Sequence, residues 1–192
     1  MAKAVKVHKG TVLHHFGSVL GLKAAAAALA YAELADELDT LNTSARNHKL
    51  LRPALIHARF AVNDPTRYAA LHDRAIWPPP DTSQNKTERD WQMSAAIEKA
   101  NALNSYHEFI SKRLKESATT GDSSVSATAL CEALTSMVDG FTFQQWQESP
   151  QLNESKWRQL RKVARYCRFV LNGAQIASGK SQKHRATRRQ PQ

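Results

Sequence analysis

Cysteine is nearly absent, with two in 192 residues. No disulfide framework can hold such a chain, and a cytoplasmic or otherwise reducing compartment is expected. Glycine and proline, seven of each, are too sparse for a collagen-like, linker-like or turn-rich all-β chain. No uncharged apolar run approaches the roughly 18 residues of a membrane-spanning helix. No stretch alternates apolar and polar residues in the manner of a strand, and no internal repeat is visible. Acidic residues are also scarce: 17 Asp and Glu face 27 Lys and Arg, a formal charge of +10. The 42% apolar and 23% charged residues suit a soluble globular chain with room for one ordinary domain or two small ones.

The basic excess is unevenly spread. Residues 1–40 and 81–120 are balanced, residues 121–160 are net acidic, and residues 161–192 hold nine basic side chains and no acidic one. A second basic patch lies within 46–74. An evenly spread excess would serve solubility. A concentrated one suits a polyanion, because neutralising phosphates releases their counterions.

Periodicity predicts an all-α fold, a bundle of about five to six helices with a disordered basic C-terminal tail. The acid-free N-terminal stretch with Lys3, Lys6, Lys9 and Lys23 has the composition of a targeting segment. Lys23 interrupts its apolar run, so we read a frayed basic arm leading into an Ala-rich helix over 18–39, with Leu22, Ala26, Leu29, Leu34 and Leu38 as its apolar side. Helix is expected over 44–62, broken at Pro53. A restart at Asp64-Pro65 leads to a short helix ending near Trp77, the tryptophan most expected to be exposed. Residues 78–86 form a Pro-rich connection between an N-terminal helical region (1–77) and a C-terminal one (87–178). The longest helix is predicted over 88–117, started by a capping-box-like Thr87 and Asp90. Another follows over 124–139, stopped by Asp139-Gly140, then a short aromatic segment over 141–148. A last helix covers 154–175, and residues 179–192 form the basic tail.

That last helix carries the functional argument. At 100° per residue, Trp157, Leu160, Ala164, Cys167, Leu171 and Ala174 share one side. Arg158, Arg161, Lys162, Arg165 and Arg168 share another, within an arc of about 120°, bordered by Tyr166 and Phe169. Like charges spaced i, i+4 weaken a helix, so a ligand that rewards them is the simplest explanation. A phosphate backbone fits, and the aromatics add base stacking on single strands. The competing explanation is a solvated face, or pairing with carboxylates from 121–160. Lys180, Lys183, Arg185, Arg188 and Arg189 continue the charge into the tail. Arg46, Lys49, Arg52, Arg59, Arg67 and Arg74 make a second basic set, with the first four as candidate phosphate contacts. Side chains able to read base edges are scattered, so backbone contacts are expected. A helix-turn-helix made from Phe143–Glu148 and the last helix has the right order but too long a turn.

Enzyme chemistry finds no footing. Gly17–Lys23 lacks the spacing of a phosphate loop. None of the eight histidines pairs with another His or Cys at ligand spacing, and Glu98, Glu108 and Glu116 lack a Glu-x-x-His partner. Cys131 and Cys167 sit on apolar stripes as small core residues. No cofactor or metal is implied. The expectation is therefore a non-enzymatic nucleic-acid-binding protein, for RNA or DNA and largely independent of sequence. Two alternatives stand beside it. One is a structural subunit of a nucleoprotein assembly, such as a helical coat, nucleocapsid or small ribonucleoprotein subunit, with self-association and a virion location in the coat case. The other is a protein-interaction adaptor.

Overall fold

A computed structural model describes residues 8–43, 49–64, 68, 71–77, 85–117, 126–148 and 155–186. Among these are six α-helices and one 3-10 turn, with no strand: α1 (Lys9–Phe16), α2 (Val19–Thr43), α3 (Arg52–Asn63), the turn Arg74–Ile76, α4 (Lys86–Ser117), α5 (Ala127–Glu148) and α6 (Lys156–Ala186). The fold is all-α.

Several boundaries differ from the sequence reading, each for a local reason. The basic arm is not frayed from residue 8 onward. His8 caps α1 by accepting the Gly10 N–H on its Nδ1 at 3.1 Å, and Gly17 ends the helix at φ +77°, a conformation that favours glycine. α2 runs on to Thr43, whose hydroxyl bonds back to the Asp39 carbonyl at 3.0 Å. Pro53 does not break a helix. It lies in the first turn of α3, where its missing N–H costs nothing because first-turn donors have no intrahelical partner. α4 is capped by Asn85 rather than Thr87, with Asn85 Oδ1 accepting the Glu88 N–H at 3.2 Å. Gly140 does not stop α5, which absorbs the aromatic segment and continues to Glu148. The short segment Phe143–Glu148 weighed as part of a helix-turn-helix is thus the end of a longer helix. α6 passes Gln175 and reaches Ala186. The Lys, Gln, Arg and Ala of that stretch are good helix formers, and Gly173 and Gly179 each cost only about 1 kcal/mol.

No single described helix is long and apolar enough to cross a membrane. α1 and α2 meet the length and composition test only as a pair bent by 69°.

The chain divides into two compact units, residues 1–37 with 64–104 and residues 38–63 with 105–192. The expected apolar side of α2 holds in part: Leu34 and Leu38 are buried, Leu22 and Ala26 are half-buried, and alanines off that stripe supply the rest of the core side in unit 1. Ala24, Ala27, Ala28, Leu34 and Ala35 are buried, whereas Leu29 is 60% exposed. Small side chains let the helices approach closely: a Cβ on Gly21 would lie 3.4 Å from Cα of Glu88 in α4. Lys23 binds Asp73 at 2.6 Å. Its ammonium and the Ala75 N–H hold the Asp73 carboxyl below the ordinary value. Trp77 is not the exposed tryptophan expected. It is half-buried, its indole N–H donates to the Leu71 carbonyl at 3.0 Å, and Lys99 caps its ring at 4.7 Å.

In unit 2, α3, α5 and α6 pack against one another. Leu130, Leu134 and Val138 recur every four residues along α5 and are buried, as are Val163 and Cys167 on α6 and Tyr106, Phe109 and Ile110 on α4. Buried His57 on α3 has its Nε2 3.2 Å from Asp139 Oδ1 on α5, a polar tie inside an otherwise apolar contact.

Candidate nucleic-acid interface

α6 is anchored on one side by Val163 and Cys167, both fully buried, with Leu160, Ala164 and Leu171 half-buried beside them. The opposite side carries Arg158, Arg161, Lys162, Arg165 and Arg168, and all five are exposed. From Arg158 to Arg168 the axial rise is about 15 Å. α6 has no acidic residue in its first turn, so Arg158 stands at the positive end of the helix dipole, where a cation is disfavoured. Lys162 is engaged within the chain. Among the described residues no carboxylate forms an ion pair with Arg158, Arg161, Arg165 or Arg168. These four arginines are neither turned inward nor paired with a carboxylate there.

The two aromatics are not equivalent. Tyr166 is 47% exposed and leans on Phe141 of α5, ring centroids 5.7 Å apart, so part of its surface serves packing. Phe169 is 68% exposed. It lines an open groove of about 480 Å³ together with Arg161, Ala164, Arg165, Arg168 and Asn172. One apolar ring, three guanidinium groups and one amide therefore face the same space. Asn172 was missed by reading charge alone. Its spacing, four residues after Arg168 and seven after Arg165, puts it on the same helical face and was available as a signal.

On α3, Arg52 and Arg59 are exposed, as is Lys49 just before it, and Arg59 is engaged within the chain. The side chains of Lys180, Lys183 and Arg185 lie outside the described ones, although their backbone is helical. Arg46, Arg67, Arg188 and Arg189 lie outside the described residues.

No family model, curated protein or solved structure matches the chain.

The division into units sharpens the charge distribution. Unit 1 holds 9 basic and 9 acidic residues, and unit 2 holds 18 and 8. The whole +10 excess therefore belongs to unit 2, the unit that bears the strip.

Three further titratable groups of unit 2, Cys131, Cys167 and Tyr106, sit in its interior. Burial pushes the Cys167 thiol up to about 11. Burial, with Glu132 adding to it, pushes Cys131 to about 11 as well. Burial raises the Tyr106 phenol well above its ordinary value, with smaller contributions from Cys167, Cys131 and Asp139. These groups are protonated and neutral at physiological pH. Among the described residues no group of three or more His, Cys, Asp or Glu could hold a metal ion.

Proposed function

We propose that the chain binds nucleic acid without chemical turnover, holding the phosphate backbone on the outer face of α6 and accepting unpaired bases on Phe169. One observation carries this reading: exposed arginines without carboxylate partners among the described residues surround an exposed phenylalanine at a single groove. Such a strip costs the helix stability through like-charge repulsion and an unfavourable dipole position. A polyanion repays that cost, because each neutralised phosphate releases counterions.

Phe169 favours single strands. A ring in a basic groove offers nothing to bases already stacked in a duplex. To an unpaired base it offers a stacking surface worth about 1–3 kcal/mol. The amide of Asn172 can satisfy a base edge, and the three guanidinium groups can meet the flanking phosphates. Backbone contacts dominate at this groove, so sequence preference is weak. The neutrality of unit 1 supports a division of labour in which unit 2 meets the ligand.

The test is fluorescence polarisation at low salt with labelled oligonucleotides of random sequence, single-stranded and duplex. Single strands bind more tightly, and affinity falls with added salt. No detectable binding of either form refutes the reading. Protein purified without nuclease provides a second check, since co-purifying nucleic acid raises its absorbance at 260 nm relative to 280 nm.

A further inference from the structure

We infer that unit 1 docks against a second copy of this chain, the two α2 helices lying antiparallel across an open groove. The groove, of about 530 Å³, runs along Leu22, Ala25, Ala26, Leu29 and Ala32 of α2 and is walled by Trp91 of α4. A helix apolar on all sides is normally buried on all sides. From Val19 to Ala32, Lys23 is the one charged residue, yet Leu29 stands 60% exposed and Val19 57% exposed.

A second α2 fits this surface by its own sequence. An antiparallel two-fold centred between Ala25 and Ala26 sets each residue opposite the one whose number makes 51 with its own. Leu22 then meets Leu29, Ala25 meets Ala26, and Val19 meets Ala32. Each large side chain finds the other leucine or a small partner. The alanines at the crossing let the axes approach to about 8 Å.

The charges at the two ends specify the direction. The N-terminal end of the groove is at His15, with Lys9 and His14 on the same short helix and no acid. Beyond Ala32 the same side of α2 continues into exposed Glu33 and Asp36, with Glu37 beside them; all three are also engaged within their own chain. The antiparallel arrangement brings the acidic end of one copy to the basic end of the other, twice. A parallel arrangement sets like against like. A two-fold contact of this kind uses one surface on both copies and closes as a dimer.

The experiment is sedimentation velocity on the full chain, nuclease-treated and at high salt so that nucleic acid cannot bridge copies. A dilution series is expected to show a monomer–dimer equilibrium. Leu29→Lys, at an exposed position, is expected to give monomer throughout with an unchanged far-UV circular dichroism spectrum. For register, Ala26→Cys, beside the two-fold axis, should form an interchain disulfide under mild oxidation. Val19→Cys, set opposite Ala32, should not. A wild-type monomer at every concentration overturns the proposal, as does a dimer that survives Leu29→Lys or links equally well through both cysteines. A monomer that floats with phosphatidylcholine vesicles also overturns it, in favour of a lipid surface. None of these outcomes bears on whether α6 binds nucleic acid.

Discussion

Replacing Arg161, Arg165 and Arg168 together by glutamine separates the two readings of the α6 strip, because a ligand site and a solvated face respond in opposite ways. Each phosphate contact to a single strand contributes about −0.7 to the slope of log affinity against log salt. The four arginines without carboxylate partners among the described residues then contribute about −2.8, so a roughly fourfold rise in salt costs about 50-fold in affinity. The triple variant keeps Arg158 alone from this set. Its strip contributes about −0.7, and the same rise in salt costs under about threefold. Other cations of unit 2 add equally to both proteins, so the measured quantity is a slope difference of about 2. Stability should move the other way. The substitutions remove like-charge pairs at i, i+3 and i, i+4 among Arg158, Arg161, Lys162, Arg165 and Arg168, each worth a few tenths of a kcal/mol, or about 1 kcal/mol at low ionic strength. All three positions are exposed, so no packing is lost. Polarisation titrations at several salt concentrations give the slopes, and thermal melts give the stability. An unchanged slope refutes the phosphate contacts. An unfolded variant refutes the claim that these side chains cost the helix more than they support it.

Three further expectations are independent of that one. Phe169→Ala should weaken single-strand binding by about 1–3 kcal/mol, a factor of roughly 5 to 150, and leave duplex binding unchanged; because the ring is mostly exposed, the melting temperature should hold, and equal losses on both substrates would rule out stacking. Gly21→Ala should destabilise unit 1 by about 3 kcal/mol, since its Cβ would lie 1.9 Å from the Phe16 carbonyl oxygen, a backbone atom that cannot swing aside; a chemical denaturation midpoint equal to wild type would show the α1–α2 junction to be looser than described. Cys131 and Cys167 have folded-state values near 11 against an ordinary 9.0. Folding raises them, so the stability they contribute is full below about pH 9 and is lost as pH climbs toward about 11. Denaturation at stepped alkaline pH should show that decline, and Cys131→Ser with Cys167→Ser should remove the part that sets in between about pH 9 and 10, leaving the later contribution of buried Tyr106.

What could be read from residues alone was the strip; what could not was the packing around it. The strip was legible because its signal is local: five cations at helical spacing define a face whatever surrounds them, and Cys167 fell on the far side as periodicity requires, together with Val163, which the apolar side read from sequence did not include. Helix ends were less legible, because several are set by contacts rather than composition. Asn85 caps α4 while its amide also donates to the Gly17 carbonyl at 3.0 Å, a partner 68 residues away in sequence. Gly140 carries the residue type of a stop but not the geometry, since a glycine in a helix interior costs about 1 kcal/mol and buried Leu134 and Val138 anchor the helix just before it. The first half of α2 was misread for a different reason, although Leu34 and Leu38 were placed correctly. Leucine outranks alanine in hydrophobicity, yet a close helix contact selects for small size, so Ala24, Ala27 and Ala28 took the core and Leu29 was left outside. The chain changes unit three times: at 63/64 the Asp64-Pro65 restart marks the change, but inside α2 and α4 no proline or glycine does.

The exposure of Leu29 bears on the two proposals together, because Leu29 and Phe169 are both exposed and belong to different units. If unit 1 pairs two copies, each dimer carries two α6 strips, and a strand long enough to reach both binds the second as an intramolecular event. Linkage of this kind raises apparent affinity by about 10²–10⁴ with no new contact. Short oligonucleotides that fill one groove gain nothing. The expected pattern is therefore a steep rise in wild-type affinity with oligonucleotide length, and a shallow one for Leu29→Lys, while both proteins bind the shortest oligonucleotides alike. Polarisation titrations over a length series read this directly. If Leu29→Lys abolishes the dimer but leaves the length dependence intact, the two strips do not act on one strand. The dimer then serves some purpose other than avidity, and each α6 groove works alone.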